Sequence, residues 1–219
     1  MTTPAQLVQT VSDATGVPLP TIVDIDRKLA IGGLRTKGGR GLSAARMTAL
    51  DAARLLTAVL TSAQANVSVA AVERYALTHA DKTRSSDGLF RATKLADLAA
   101  LPARHSFVDA LAALIDSATS GSLAKLAREQ GDDWSSHIEV FAFTRATYGR
   151  IRISGLPDGT TANVEYLPSA GRSRASQKPS LRKSTTAFDS AGDLEQSRRV
   201  TERTILSIAD LLAEESRND

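Results

Sequence analysis

The stretch SDATGVPLPTIVDI, residues 12–25, decides how the opening part of this chain folds. Two helices that cross closely need a small residue midway along the first and a glycine four positions later to turn the chain. Apolar residues must then lock the second helix against the first. Ser12 is the small residue, Gly16 the turn, and Val17, Ile22 and Ile25 the lock. Upstream, Leu7, Val8 and Val11 share one face of a short helix over residues 5–14, which Gly16 ends through a left-handed cap. Downstream, Pro18 and Pro20 predict an extended connection. Thr21 then opens a second helix that buries Ile22, Ile25 and Leu29 and stops at Gly32 and Gly33. Thr21-Ile22-Val23-Asp24 has the form of a capping box, in which the threonine oxygen accepts from an orphan N–H and the acid reaches back to the cap. Asp24 also precedes Lys28 by four residues, a favourable helical pair.

Beyond this hairpin, residues 34–47 show no helical period and contain Gly38, Gly39 and Gly41, so they predict a β-hairpin or loop. From Gly32 to Leu50 the charged residues are Arg35, Lys37, Arg40 and Arg46, with no acid among them. Thr48 and Asp51 repeat the capping box and open a helix to about Ser62, with Leu50, Ala53, Leu56 and Leu60 inward. In these features the chain resembles the winged helix-turn-helix of MerR-type regulators. Gly16 matches that family's turn glycine, Thr21-Ile22 the opening of its recognition helix, Gly33-Leu34 the entry to its wing, and Thr48 to Asp51 the helix after it. The resemblance covers residues 1–62. It departs where the family carries Arg and Tyr in the recognition helix, because this chain has Asp24, Ile25 and Asp26, and no long dimerisation helix directly follows the wing.

The resemblance implies a double-stranded DNA partner. Binding of that kind draws on phosphates neutralised by Lys and Arg, and on glycines that let the backbone approach closely. Thr21, Arg27, Lys28, Arg35, Lys37, Gly38, Gly39, Arg40 and Arg46 are the candidate contacts. The plainer alternative is a solvated basic loop. Asp26 has three readings: it faces the first helix, accepts from a cytosine amino group, or repels DNA.

After Asn66 a further helix is predicted to about His79, then a polar connection, then helix around Phe107, Leu111, Leu114, Leu123 and Leu126, interrupted near SATSGS. The period then switches to two. Ile138, Val140 and Ala142, then Ile151 and Ile153, then Val164 and Tyr166 predict three antiparallel strands, with Pro157, Asp158 and Gly159 at a turn. Tyr148, Arg150 and Arg152 fall on one strand face, either as a nucleic-acid surface or, the preferred reading, as the polar outside of a half-exposed sheet. Residues 169–199 carry Arg172, Arg174, Lys178, Arg182 and Lys183 without periodicity and predict a mobile basic linker. Residues 200–213 are amphipathic through Ile205, Ile208 and Leu212. So short a helix is marginal alone, so this stripe is expected to dock on the body or on a second copy as an oligomerisation surface.

Composition sets the outer limits. At 219 residues, 42% hydrophobic and 23% charged, the chain suits a buried core, and its formal net charge of +3 does not by itself imply a nucleic acid. It contains no Cys, which removes disulfides and thiol nucleophiles and fits a reducing cytoplasm. No basic-then-apolar leader and no membrane-length apolar run is present. GGLRTKGGRG lacks the Gly-Lys-Ser/Thr ending of a triphosphate loop. His79, His105 and His137 are scattered, and Asp132-Asp133 reads better as a loop than as a cation site. No enzyme, metal, cofactor or small-molecule substrate is expected.

The sequence therefore predicts a mainly α protein with a small antiparallel β-meander, an α+β class. Its expected parts are a winged helix-turn-helix over residues 1–62, a helical and three-stranded region over 63–168, the linker over 169–199 and a docking helix over 200–219. The expected role is a cytoplasmic, dimeric, sequence-specific transcriptional regulator, and the length and layout are similar to proteins of phages and mobile elements. The alternatives are a ring-forming, small-terminase-like packaging subunit and a non-enzymatic structural interaction protein.

Overall fold

A computed structural model describes residues 2–38, 45–62, 65–86, 90–129, 137–144, 147–156, 159–168 and 196–216. Helix α1 (Pro4–Thr15) opens on a reciprocal cap between Thr3 and Gln6 and ends at Gly16, whose φ of 71° is the left-handed conformation expected there. Ser12 is buried, and its hydroxyl donates to the Val17 carbonyl at 2.8 Å, which fixes the turn. Helix α2 (Leu19–Ile31) buries Ile22, Ile25 and Leu29 against α1. Its start differs from the expectation. The cap position is Pro18, with no side-chain bond, so Thr21 lies inside the first turn and the Thr21–Asp24 capping box does not form. The physical reason is that proline suits the first helical turn, where its missing N–H would be unpaired anyway. Pro18 and Pro20 therefore start the helix rather than hold the chain extended.

Helix α3 (Ala49–Thr61) has the expected box: Thr48 accepts from the Asp51 N–H, and Asp51 accepts from the Thr48 N–H. A cap of this kind contributes about 1 kcal/mol. Leu50, expected inward, is exposed, whereas Ala52, Leu55 and Val59 join Ala53, Leu56 and Leu60 in the core. The helix is buried on nearly every side because its alanines let neighbours approach from several directions. It packs on α2, on α4 (Ser68–Ala76), on α6 (Phe107–Thr119) and on the sheet. Two short pieces, the 3-10 turn Arg91–Thr93 and α5 (Ala96–Ala99), precede α6, and Gly121 separates it from α7 (Ser122–Glu129).

The expected three strands are β2 (His137–Phe143), β3 (Gly149–Ser154) and β4 (Ala162–Pro168). Two more extend them. β1 (Thr78–Ala80) takes His79 out of the preceding helix, and β5 (Ser197–Thr201) lies where the linker was expected. The five form one antiparallel sheet in the order β1-β4-β3-β2-β5. Both additions are short edge strands, and β5 turns only Val200 inward, so neither shows the alternation that betrays a strand. Gly149 lets α6 approach the sheet, since a Cβ there would come within 2.6 Å of the Phe107 ring.

Helix α8 (Glu202–Ser216) follows β5 directly and packs on α1 and α6. Ile205 and Ile208 are fully buried, and Leu212 nearly so. The stripe expected to join subunits is thus spent in the protein's own core. The Thr2 hydroxyl donates to the Leu211 carbonyl, tying the chain's beginning to its end. Residues from the expected N-terminal, middle and C-terminal parts share one apolar core, so positions 62 and 199 are not boundaries of packing. The observed class is α+β. No described helix is long and apolar enough to cross a membrane.

Candidate nucleic-acid interface

Helix α2 keeps one face on α1 and presents the other to solvent. Thr21, Val23, Asp24 and Arg27 are exposed and Lys28 is half-buried. The outward face is partly apolar, with Val23 50% and Ile31 69% exposed. The segment that leaves α2 is pinned at three points. Thr36 donates its N–H to Asp51 Oδ1 at 2.8 Å and its hydroxyl to Oδ2 at 2.9 Å, so one carboxylate caps α3 and anchors the loop. Arg54 donates to the Leu34 carbonyl at 3.2 Å. Arg35 lies with Nε 3.0 Å from Asp26 Oδ1, and both side chains are largely buried, at 17% and 12% exposure. The N–H does not aim at that oxygen, so charge rather than an aligned hydrogen bond holds the pair.

This pair settles what Asp26 does. It faces neither a base nor a phosphate but Arg35, under the loop. Burial pushes its carboxyl upward, Arg35 pulls it partly back, and Asp51 pushes it up further. Arg35 is correspondingly the expected contact that the structure withdraws from the surface. Lys37, Gly38 and Arg46 are exposed beside it, while Gly39 and Arg40 lie outside the described residues. No strand is present in residues 34–38 or 45–47, so the wing expected there is not shown by the described residues. Asp132-Asp133, Pro157-Asp158 and the basic residues Arg172, Arg174, Lys178, Arg182 and Lys183 also lie outside them.

On the sheet, Arg150 and Arg152 face away from Ile151 and Ile153, as their alternation predicts. Their contacts are cross-strand. Arg150 lies over the Phe141 ring at 4.4 Å, Arg152 approaches Glu139 at 3.6 Å, and Tyr148 meets Phe143 edge-on at 4.9 Å. His105 is structural. Its Nδ1 sits 2.7 Å from the Pro102 carbonyl, which can only accept, so Nδ1 carries the proton and Nε2 accepts from the Tyr166 hydroxyl at 2.9 Å. Burial accordingly lowers its pKa.

Sequence reasoning missed a second basic group. Arg198, Arg199 and Arg203 border the end of α1 and Val17, beside the turn into α2. The arginine doublet is a signal, but it falls in the expected linker, and Glu202 between it and Arg203 hides the clustering that the β5–α8 corner produces. Comparison with protein-family models, with curated proteins and with solved structures returned no match. The MerR-type resemblance of residues 1–62 therefore rests on those residues alone.

Proposed function

We propose that this chain binds double-stranded DNA through α2 and the loop that follows it, as a regulator of transcription. The observation that carries this reading is the outward position of α2. Its Gly16 turn and Ser12 lock hold it against α1 by one face, and its free face places Arg27 and Lys28 on the same hairpin as the exposed Lys37. Helix N-termini docked in a major groove read base edges, and the exposed Val23 offers the apolar contact that a thymine methyl takes. Phosphate neutralisation by Arg27, Lys28 and Lys37 supplies the sequence-independent part.

The test is duplex binding measured across salt concentrations. Replacing Arg27, Lys28 and Lys37 with Ala together lowers affinity and flattens the plot of log K against log salt by up to about three units, roughly one per lost contact. An affinity and slope identical to the parent's remove the reading. Selection from a random duplex pool then separates one preferred site from indifferent binding.

A second reading, a subunit of a multi-copy assembly, is favoured by the apolar side chains left outside. Ile31 and Leu77 are 69% and 73% exposed. With α8 folded into its own core, a regulator's dimer needs a different surface as well. Mass measurement in solution distinguishes a dimer from a ring.

A further inference from the structure

The end of α1, the last turns of α3, strand β5 and the start of α8 enclose a cleft of about 480 Å³, and none of the residues assigned above to DNA lines it. Three arginines line it, Arg198, Arg199 and Arg203, and no acidic side chain does. Arg198 is held in place by the α3 terminus: its Nη1 donates to the carbonyls of Val59 at 2.7 Å and Ser62 at 2.9 Å. Arg199 alternates to the other face of β5, where it donates to Glu139 at 2.7 Å beside the Phe141 ring. A guanidinium has five N–H donors, so Arg198 retains others for a ligand. Arg203 is exposed and makes no ion pair among the described residues.

Beneath the arginines stands Thr204. It is 4% exposed and lines the cleft, and its hydroxyl meets no hydrogen-bond partner among the described residues. The hydroxyl is therefore a spare donor and acceptor in the cleft wall, open to a group that enters the cleft. Thr204 also belongs to the first turn of α8, whose opening N–H groups and positive dipole end favour an anion. The acid of that turn is engaged elsewhere, because the Glu202 carboxylate accepts from the Ile138 N–H at 3.1 Å.

We propose that this cleft binds a phosphate group, gripped by Arg203 and the remaining N–H groups of Arg198 over the Thr204 hydroxyl and the opening amides of α8. Planar guanidinium forks match phosphate oxygens two at a time, and the hydroxyl and amides supply donors from below. A phosphodiester of bound DNA and a phosphate monoester of a small molecule share this chemistry. The site itself does not depend on the DNA reading.

The experiment has two arms on the full chain. In the first, thermal unfolding is followed against inorganic phosphate at constant ionic strength, made up with chloride. A saturable rise in Tm is expected, with the phosphate dissociation constant weakened about tenfold in Arg203→Ala and weakened also in Thr204→Val, which keeps the branched shape. Stabilisation by phosphate no greater than by chloride, or equal phosphate affinity in the parent and both variants, overturns the proposal. In the second arm the salt dependence of duplex binding is compared between the parent and Arg203→Ala. A slope reduced by about one assigns the site to a phosphodiester, and an unchanged slope assigns it to a free phosphate-bearing molecule. Should the parent bind no duplex at all, the first arm still decides.

Discussion

Two basic regions of this molecule invert the roles that their sequences suggest. The glycine-rich segment after α2 has cations and no acids in a row, yet its best-placed arginine, Arg35, is drawn under the loop by Asp26 from nine positions earlier in the chain. The Ser197–Thr204 corner spans the end of the expected linker and the start of the expected docking helix, with Glu202 among its arginines, yet there Glu202 turns aside to the β2 backbone and three exposed arginines border one cleft. Charge along a sequence therefore says little about charge in space. What decides is whether each acid has a nearer partner, and that is a property of the packing.

The largest expected effect breaks this comparison at Arg35. Arg35→Ala leaves the Asp26 carboxylate largely buried and without its cation, which costs about 2 kcal/mol at neutral pH. The pH dependence follows from the direction of the Asp26 shift. An acid whose pKa is raised on folding binds more protons in the folded state between its unfolded value, near 3.8, and its raised folded value, so stability falls as pH climbs through that window. The variant's penalty should accordingly shrink on acidification, because a protonated Asp26 needs no partner. Urea unfolding at pH 7 and pH 5 measures it, and an equal cost at both would show that the loss does not come from the Asp26 charge.

A smaller effect is expected at Arg198. Its contacts close the C-terminal carbonyls of α3, a helix with no basic residue in its own last turn. The residue is exposed, so Arg198→Ala should cost only about 1 kcal/mol. Arg198→Lys should recover part of it, since one ammonium nitrogen can also donate to two carbonyls but lacks the fixed direction of the planar guanidinium. Full recovery by lysine would mean that charge alone matters there.

The smallest change in stability belongs to Lys37. Lys37→Ala should leave the unfolding free energy within about 0.5 kcal/mol of the parent. Under the DNA reading, it should lower the salt slope of duplex binding by about one unit. Arg35→Ala and Lys37→Ala thus separate a structural cation from a surface one, two positions apart in the same loop. A Lys37 variant that unfolds easily, or an Arg35 variant that does not, would reverse the assignment.

Much of the fold was legible. The α1–α2 hairpin followed from Ser12, Gly16 and the apolar spacing of Ile22, Ile25 and Leu29, and the start of α3 from Thr48 and Asp51. The three central strands followed from alternation, because each has one face on the helices and one toward solvent. The start of α2 was misread because proline has two opposite local meanings, an extended residue or a first-turn residue, and only the chain around it selects one. The edge strands were missed because β1 is three residues long and β5 hides one inward residue among polar ones, so their pairing comes from the neighbour rather than from their own pattern. Of the candidate interface, the outward face of α2 was legible from its spacing. The withdrawal of Arg35 and the gathering of Arg198, Arg199 and Arg203 were not, because both depend on partners far away in the chain.

By itself the sequence determined the local matters: the Thr48–Asp51 cap of α3, where Gly16 turns the chain, which faces of the central helices and strands are apolar, and the absence of thiol chemistry. Those follow from short-range sterics and hydrogen bonding, which act within a few residues. Only the tertiary structure decided that α8 packs at home, that Asp26 belongs to Arg35, and that the β5–α8 corner opens a cationic cleft beside the α1–α2 turn. Each of these is a choice among distant partners for the same buried surface or charge, and such choices are made by the whole core at once.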